Sequence, residues 1–414
     1  MLNVLGNSWA LLLGMLLLMM GNGLQGSLLG VRGAENGFSA MSMSIVMSAY
    51  FAGFLFASRM APEMIRRVGH VRVFAALGSF ISAVLILFPA LQHPVTWTLG
   101  RLVLGFCFCG VYVTAESWLN NTATNENRGK TLSAYMIVQM MGIIAAQALL
   151  VVPDPSGFLL FVIPSVLISI SFAPILLSIS PTPAFDTTKR MTLKELYAIS
   201  PLGMVGIFLL GSVFAAQFGM AAVYATQAGM KLGQISIFIA SFYVGALVMQ
   251  YPLGWISDRV DRRGLIMAVA ALGGAGAVFA WIADSYWMIV GMAFVVGGFS
   301  NPLYSLLIAY TNDFMEAEDM AAASAGLLFV NGVGAIAGPL FIGWVMQSFG
   351  AQAFWGLIAT LLLALAAYAG YRMTVRKAPR PEDTGSYAPV SPQASLVAVD
   401  IAQDYFIDHQ EDEE

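Results

Sequence analysis

Residues 254–265 read GWISDRVDRRGL, and residues 59–70, which lie 195 positions earlier, read RMAPEMIRRVGH. Glu63 falls on Asp258, Arg67 on Arg262 and Gly69 on Gly264. A second pair of segments, SAYMIVQMMG from Ser133 and SAGLLFVNGVG from Ser324, repeats at a shift of 191 (324 − 133). Both loop stretches follow apolar runs of about twenty residues, the length that spans hydrocarbon as a helix. Repetition at half the chain length, set between such runs, is the pattern of a membrane protein built from two related halves.

Composition agrees. Of the 414 residues, 58% are apolar and only 10% charged, and the mean hydropathy is +0.78, whereas a soluble domain has about a quarter of its residues charged. The 19 Lys+Arg against 23 Asp+Glu leave a net charge of −4, with no basic surplus for nucleic acid. Cys107 and Cys109 face different directions on a helix, and His70, His93 and His409 share no ligand spacing, so neither a metal nor another cofactor is expected. There is no GxxxxGK[ST] phosphate loop, and a membrane enzyme would need a nucleophile and base, or paired acids, converging at depth, for which no span offers a His or Asp. The expected class is not an enzyme.

Twelve apolar runs are read: 9–30, 38–58, 72–91, 96–120, 131–152, 157–179, 201–226, 233–252, 264–283, 286–310, 321–347 and 351–373. None alternates as a barrel strand does, so each is expected to be a helix. The fold class is therefore all-α integral membrane, with twelve transmembrane helices in two pseudosymmetric six-helix bundles. The expected divisions are an N-terminal bundle (1–180), a cytoplasmic linker (181–200), a C-terminal bundle (201–375) and an acidic, disordered cytoplasmic tail (376–414). The first run carries no cleavage pattern and is expected to stay in the mature chain. With the N-terminus cytoplasmic, sixteen cations fall inside: Arg59, Arg66, Arg67, Arg72, Arg128, Lys130, Lys189, Arg190, Lys194, Arg259, Arg262, Arg263, Arg372, Arg376, Lys377 and Arg380. Arg32 and Lys231 fall outside, and Arg101 lies within the fourth run. That asymmetry predicts an inner-membrane protein with both termini cytoplasmic.

GWISDRVDRR resembles the G-x-x-x-D-R-x-x-R-R loop of the major facilitator superfamily, and RLVLG (Arg101 to Gly105) resembles the R-x-x-x-G pattern of that superfamily's fourth helix. RRVGHVR (66–72) and ESWLNNTATNENRG (116–129) are similar to the YcaD-like bacterial carriers within it. The first-half loop departs from the pattern, with Arg59 at the glycine position and Glu63 at the aspartate. The resemblance implies that the first and fourth helices of each half line a central cavity. Those runs carry Asn22, Gln25, Arg101, Tyr112, Gln217, Tyr224, Asn301 and Tyr304. As amides and phenols they suit a small solute in a mostly apolar pocket, or serve as hydrogen-bonded glue between helices.

Glu63 with Arg66 and Arg67, and Asp258 with Arg259, Arg262 and Arg263, are candidate gating latches; the competing reading is that they only hold loops inside. Arg101 and Glu116 are the ionisable residues well within a span. A charge there is costly unless paired or wetted, which makes each a functional candidate. Fifteen residues of helix separate them by about 22 Å, so they cannot pair with each other. Glu116 is expected either to meet the arginines of the 2–3 loop or to carry a proton. Arg101 handles substrate or protons by the resemblance, or is tied to backbone carbonyls. Gly334 to Gly343 (GAIAGPLFIG) resembles the glycine–proline helix of drug antiporters but sits in the eleventh run; small residues so spaced also pack helices closely.

The tail has nine acids and no Lys or Arg after Arg380, and SLVAVDIAQDYFIDH within it can form a short amphipathic helix. A solvated tail and a docking segment for a cytosolic partner are both open. The function expected is a monomeric secondary transporter or facilitator. It would move a small organic solute through the lipid bilayer by alternating access, with proton coupling open. A multidrug or metabolite efflux carrier is the alternative, and a non-transporting sensor with this architecture is the alternative of another class.

Overall fold

The computed structural model describes residues 2–122, 128–152, 157–176, 191–375 and 387–411. Residues 181–190 of the linker, with Lys189 and Arg190, and the stretch holding Arg376, Lys377 and Arg380 lie outside the described residues. Among the described residues every regular element is helical, as backbone groups in hydrocarbon require. The expected runs correspond to α1 (Leu2–Glu35), α2 (Ala40–Val68), α3 (His70–Ala90), α4 (Pro94–Thr122), α5 (Arg128–Leu149) and α6 (Leu159–Leu176) in the first half. The second half contains α7 (Pro201–Gln227), α8 (Leu232–Ser257), α9 (Arg262–Trp281), α10 (Tyr286–Asn312), α11 (Ala317–Phe349) and α12 (Ala353–Val375). All but α6 are long and apolar enough to cross a membrane. The described part of the linker forms a short helix, Leu193–Ile199, started by a capping box between Thr192 and Glu195.

Each half is drawn together by glycine. A methyl carbon at Gly105 would fall on the carbonyl of Tyr50, and one at Gly53 on that of Leu102, so α2 and α4 cross with their backbones touching. The same contact recurs 192 positions later (245 − 53 and 297 − 105). Gly245 lies against Phe294 of α10, and Gly297 against Phe242 of α8. The halves thus share a packing device as well as a loop motif. In α11, Gly334 and Gly338 meet the backbone of α7 at Phe208 and Ser212. The GAIAGPLFIG stretch therefore seats α11 on α7.

The loops that repeat in sequence turn differently. Gly69 joins α2 to α3 alone, at φ +84°, a conformation that favours glycine because a side chain would clash. The second-half turn instead uses Asp258 as the C-cap of α8 and Asp261 as the N-cap of α9, whose side chain accepts from the Arg263 N–H.

Two helices are interrupted. The turn Ala216–Met220 of α7 is a π-helix, and α10 breaks at Asn301, before Pro302. Proline removes an N–H there, and a π turn inserts a residue; both loosen the hydrogen-bond ladder where function often lies. The halves meet through α1 with α7, α2 with α11 and α5 with α8. These contacts include the face opposite the arginine-bearing loops, where Ser48 Oγ donates to the Ile336 carbonyl (2.9 Å) and the Met41 N–H to Gln347 Oε1 (3.2 Å).

On the arginine-bearing face the tail joins the two halves. This corrects the expectation of a solvated, disordered segment for residues 387–403. The amphipathic stretch is indeed helical, as α13 (Leu396–Glu411), and packs against α4 and α5 of one half and α11 of the other. A helix lying on a surface buries one stripe. In α13, by contrast, Val397, Ala398 and Val399 and then Ile401, Ala402 and Gln403 are all buried, so its first two turns are enclosed.

Candidate functional site

Four of the cavity candidates form one chain of contacts in the first half. Arg101 donates from Nη1 to Gln25 Oε1 (2.8 Å), Gln25 from Nε2 to Asn22 Oδ1 (3.0 Å), and Asn22 from Nδ2 to the Tyr112 hydroxyl (2.8 Å). α1 and α4 present these residues on facing sides. The network closes through a residue the sequence reading missed. Tyr50, on α2, takes a second, longer contact from Asn22 Nδ2 (3.4 Å) and lies under the Arg101 guanidinium, 4.5 Å from ring centroid to Cζ. Its only sequence signal is its position about one turn before Gly53, where α2 touches α4. Arg101 is fully buried, and among the described residues its Nε and Nη2 have no hydrogen-bond partner.

In the second half, Gln217 stands in the π turn and Asn301 at the proline break. Asn301 donates from Nδ2 to Gln217 Oε1 (3.2 Å) and the Gly297 carbonyl (3.0 Å), while Gln217 Nε2 donates to Ser300 Oγ (2.8 Å). The two irregular turns therefore face each other, and their side chains satisfy polarity the broken helices expose. Tyr304 is buried one turn below. Tyr224 does not join them. Its ring stacks on Phe354 (4.8 Å) and packs against Trp355 and Phe238, an aromatic cluster inside the second half.

Between the halves, α5 and α8 border a cavity of about 360 Å³ that Tyr387 and Pro389 of the tail also line, and two far smaller voids lie deeper. Tyr50, Phe51, Phe214 and Asn331 line one, and Met19, Gln139, Tyr243 and Asn301 the other; Gln393 of the tail reaches both. Each has room for about one water molecule.

The charge networks are unequal. In the first-half loop, Arg66 holds Glu63 through two hydrogen bonds (2.8 and 2.9 Å), and Arg67 adds a third from Nε. All three side chains are exposed on α2 itself, so among the described residues this cluster links no second helix. In the second, Arg262 is buried and pairs with Asp313 at the end of α10, with Ser257 Oγ (3.1 Å) and at longer range with Asp258 (3.4 Å). That ties the α8–α9 turn to α10. Asp313 was missed; it lies 197 positions after Glu116, close to the repeat distance, which was its available signal. Arg263 folds back on Asp261 (2.8 Å), and Arg259 lies over the Trp255 ring at 4.2 Å. Burial pushes the Asp258 carboxyl upward, against the Tyr387 N–H and Arg262, which hold it down.

Glu116 is fully buried, and among the described residues its hydrogen bonds come from neutral donors and not from the arginines of the 2–3 loop. It accepts from the Tyr135 hydroxyl (2.9 Å), from the Ser395 N–H (3.0 Å) and from Ser395 Oγ. Among the described residues no cluster of His, Cys, Asp and Glu has metal-ligand geometry.

The Major Facilitator Superfamily model matches residues 11–236 and 203–402. The chain belongs to that superfamily. Two relatives, each 26% identical, are the uncharacterized MFS-type transporters YfkF and YcaD. YfkF, of Bacillus subtilis (strain 168), aligns over 79% of this chain and 85% of its own; YcaD, of Salmonella heidelberg (strain SL476), over 85% and 92%. In fold the chain is similar to the nucleoside transporter NupG, with TM-score 0.67 and 16% identity over 89% of this chain and 100% of that one. It is similar also to a bacterial homolog of the human lysosomal transporter Spinster, in an inward-facing and unoccupied conformation, with TM-score 0.66 and 13% identity over 97% of each chain. The protein is thus a multi-pass membrane transporter of the superfamily, with the twelve-helix architecture its repeat implies.

Proposed function

We propose that the protein is a secondary transporter of a small organic solute bearing an anionic group, working by alternating access with both termini cytoplasmic. The observation that carries the solute class is Arg101. A buried guanidinium with two donor nitrogens unsatisfied is costly in a low-dielectric interior. Gln25 and the Tyr50 face offset only part of that cost. A carboxylate or phosphate arriving between α1, α2 and α4 offers the bidentate acceptor that this geometry lacks, while Asn22, Tyr112, Gln217 and Asn301 hydrogen-bond its neutral part. The arginine-bearing loops support the orientation, since such loops stay inside.

A thermal-shift screen of the purified chain against organic acids and their neutral analogues tests this. Acids are expected to raise Tm, and the rise to vanish in Arg101→Gln while the neutral analogues stay inert in both. Stabilisation by neutral solutes that survives in Arg101→Gln would overturn the anionic assignment.

Glu116 is the candidate for proton coupling, because it is a buried carboxylate whose partners among the described residues are the neutral donors Tyr135 and Ser395. In a chain ending at residue 386, Glu116→Gln should abolish pH-driven uptake of a hit from that screen and leave its counterflow exchange intact. Loss of both would assign Glu116 to structure alone.

A further inference from the structure

We propose that the cleft between the halves on the arginine-bearing face is a peptide-binding site whose resident ligand is the chain's own segment Tyr387–Gln403, and that the solute pathway opens to that face only when the segment withdraws. The second clause rests on the transporter reading above; the first does not.

The contacts are those of a ligand. The Tyr387 N–H donates to Asp258 Oδ1 (2.8 Å), and Gln250 Nε2 donates to the Tyr387 hydroxyl (2.7 Å). Ser305 Oγ both accepts from the Val390 N–H (2.9 Å) and donates to the Val390 carbonyl (3.0 Å). Asn331 Nδ2 donates to the Pro392 carbonyl (2.9 Å), Glu116 receives both donors of Ser395, and Gln403 Nε2 reaches the Met320 carbonyl (2.8 Å). Four side chains, Asp258, Ser305, Asn331 and Glu116, thus read the tail's backbone. They come from both halves, so the segment is fastened across the gap that must narrow when this face closes.

The fill is close but incomplete. Two small voids lie against Gln393 and a cavity of about 360 Å³ lies beside Tyr387 and Pro389, and among the described residues neither atom of the buried Gln393 amide finds a partner. An unsatisfied buried amide weakens an occupant, as a reversible plug requires. The segment is covalently joined to α12, so its local concentration is on the order of millimolar and modest contacts suffice to seat it. Of the nine acids that follow Arg380 the segment itself holds Asp400 and the other eight flank it in the chain, which suits a face lined by Arg59, Arg66, Arg67 and Arg72.

The test uses purified protein in detergent, where membrane orientation plays no part. In a Cys107→Ala/Cys109→Ala background, Ser305→Cys reports on the wall of the cleft, and alkylation by a maleimide is followed by mass spectrometry. Ending the chain at residue 386 should speed alkylation at least about tenfold, and a synthetic peptide of residues 387–414 should slow it again. The full-length variant Ala398→Asp, which places a charge inside the enclosed turns, should speed it likewise if the truncated chain folds poorly. Equal rates in the full-length and unseated chains, or no protection by the peptide, would overturn the peptide site. Failure of the organic-acid screen would leave these rates untouched, so the two readings fail separately.

Discussion

At the scale of single residues, what matters is whether a buried charge has a partner. Arg262 and Asp313 are each 2% exposed and satisfy one another. Removing one member of such a pair leaves the other stranded at a cost of about 3–5 kcal/mol. Asp313→Asn should therefore lower Tm sharply, and a double-mutant cycle with Arg262→Gln should show strong coupling; additive effects would mean the pair does not hold α10 to the α8–α9 turn. Asp261 gives a pH-dependent counterpart. Burial pushes its carboxyl up, but the contacts from Arg263 outweigh that and hold it below the usual range. The folded state thus favours the carboxylate, so its contribution is complete above about pH 4 and is lost as pH falls through the lowered native value. Asp261→Asn should flatten the drop in Tm below about pH 4; an unchanged drop would place the titration elsewhere. The sequence showed Arg101, Glu116 and the Asp258 cluster because a charge in or beside an apolar run stands out. It hid Tyr50 and Asp313, since a tyrosine in a greasy helix and an acid at a helix end are ordinary until the tertiary contact is known.

At the scale of elements, glycine placement fixes which helices touch. Gly53 with Gly105 and Gly245 with Gly297 set the α2–α4 and α8–α10 crossings. Gly105→Ala and Gly297→Ala should each push their helices apart and lower both folded yield and Tm. Gly291→Ala in α10, where a methyl group meets nothing within 4 Å, should be neutral or slightly stabilising through helix propensity. If all three behaved alike, the crossings would not depend on backbone contact. Spans and turns were legible because hydrocarbon allows few alternatives to a long apolar helix. The π turn at Gln217 was not, because it adds one residue to a ladder without changing the apolar pattern; the break at Asn301 had Pro302 as a visible cue. The tail was misread for a related reason. Its alternation of apolar and acidic residues fits a surface helix, and its binding partner Glu116 lies 279 positions away in the chain.

At the scale of the molecule, two related bundles meet through α1–α7, α2–α11 and α5–α8, while a peptide of the same chain fills the cleft on the arginine-bearing face. The account's central claim is that the bundles rock, so that closing one face opens the other. Electron-spin distance measurements test it directly with two label pairs. Met41→Cys with Gln347→Cys spans the closed face, and Val71→Cys with Val260→Cys spans the arginine-bearing face, all in the Cys107→Ala/Cys109→Ala background. On ending the chain at residue 386, the account predicts a second population in each pair, longer for the first and shorter for the second. Single, unchanged distances in both pairs, or shifts in the same direction, would contradict it.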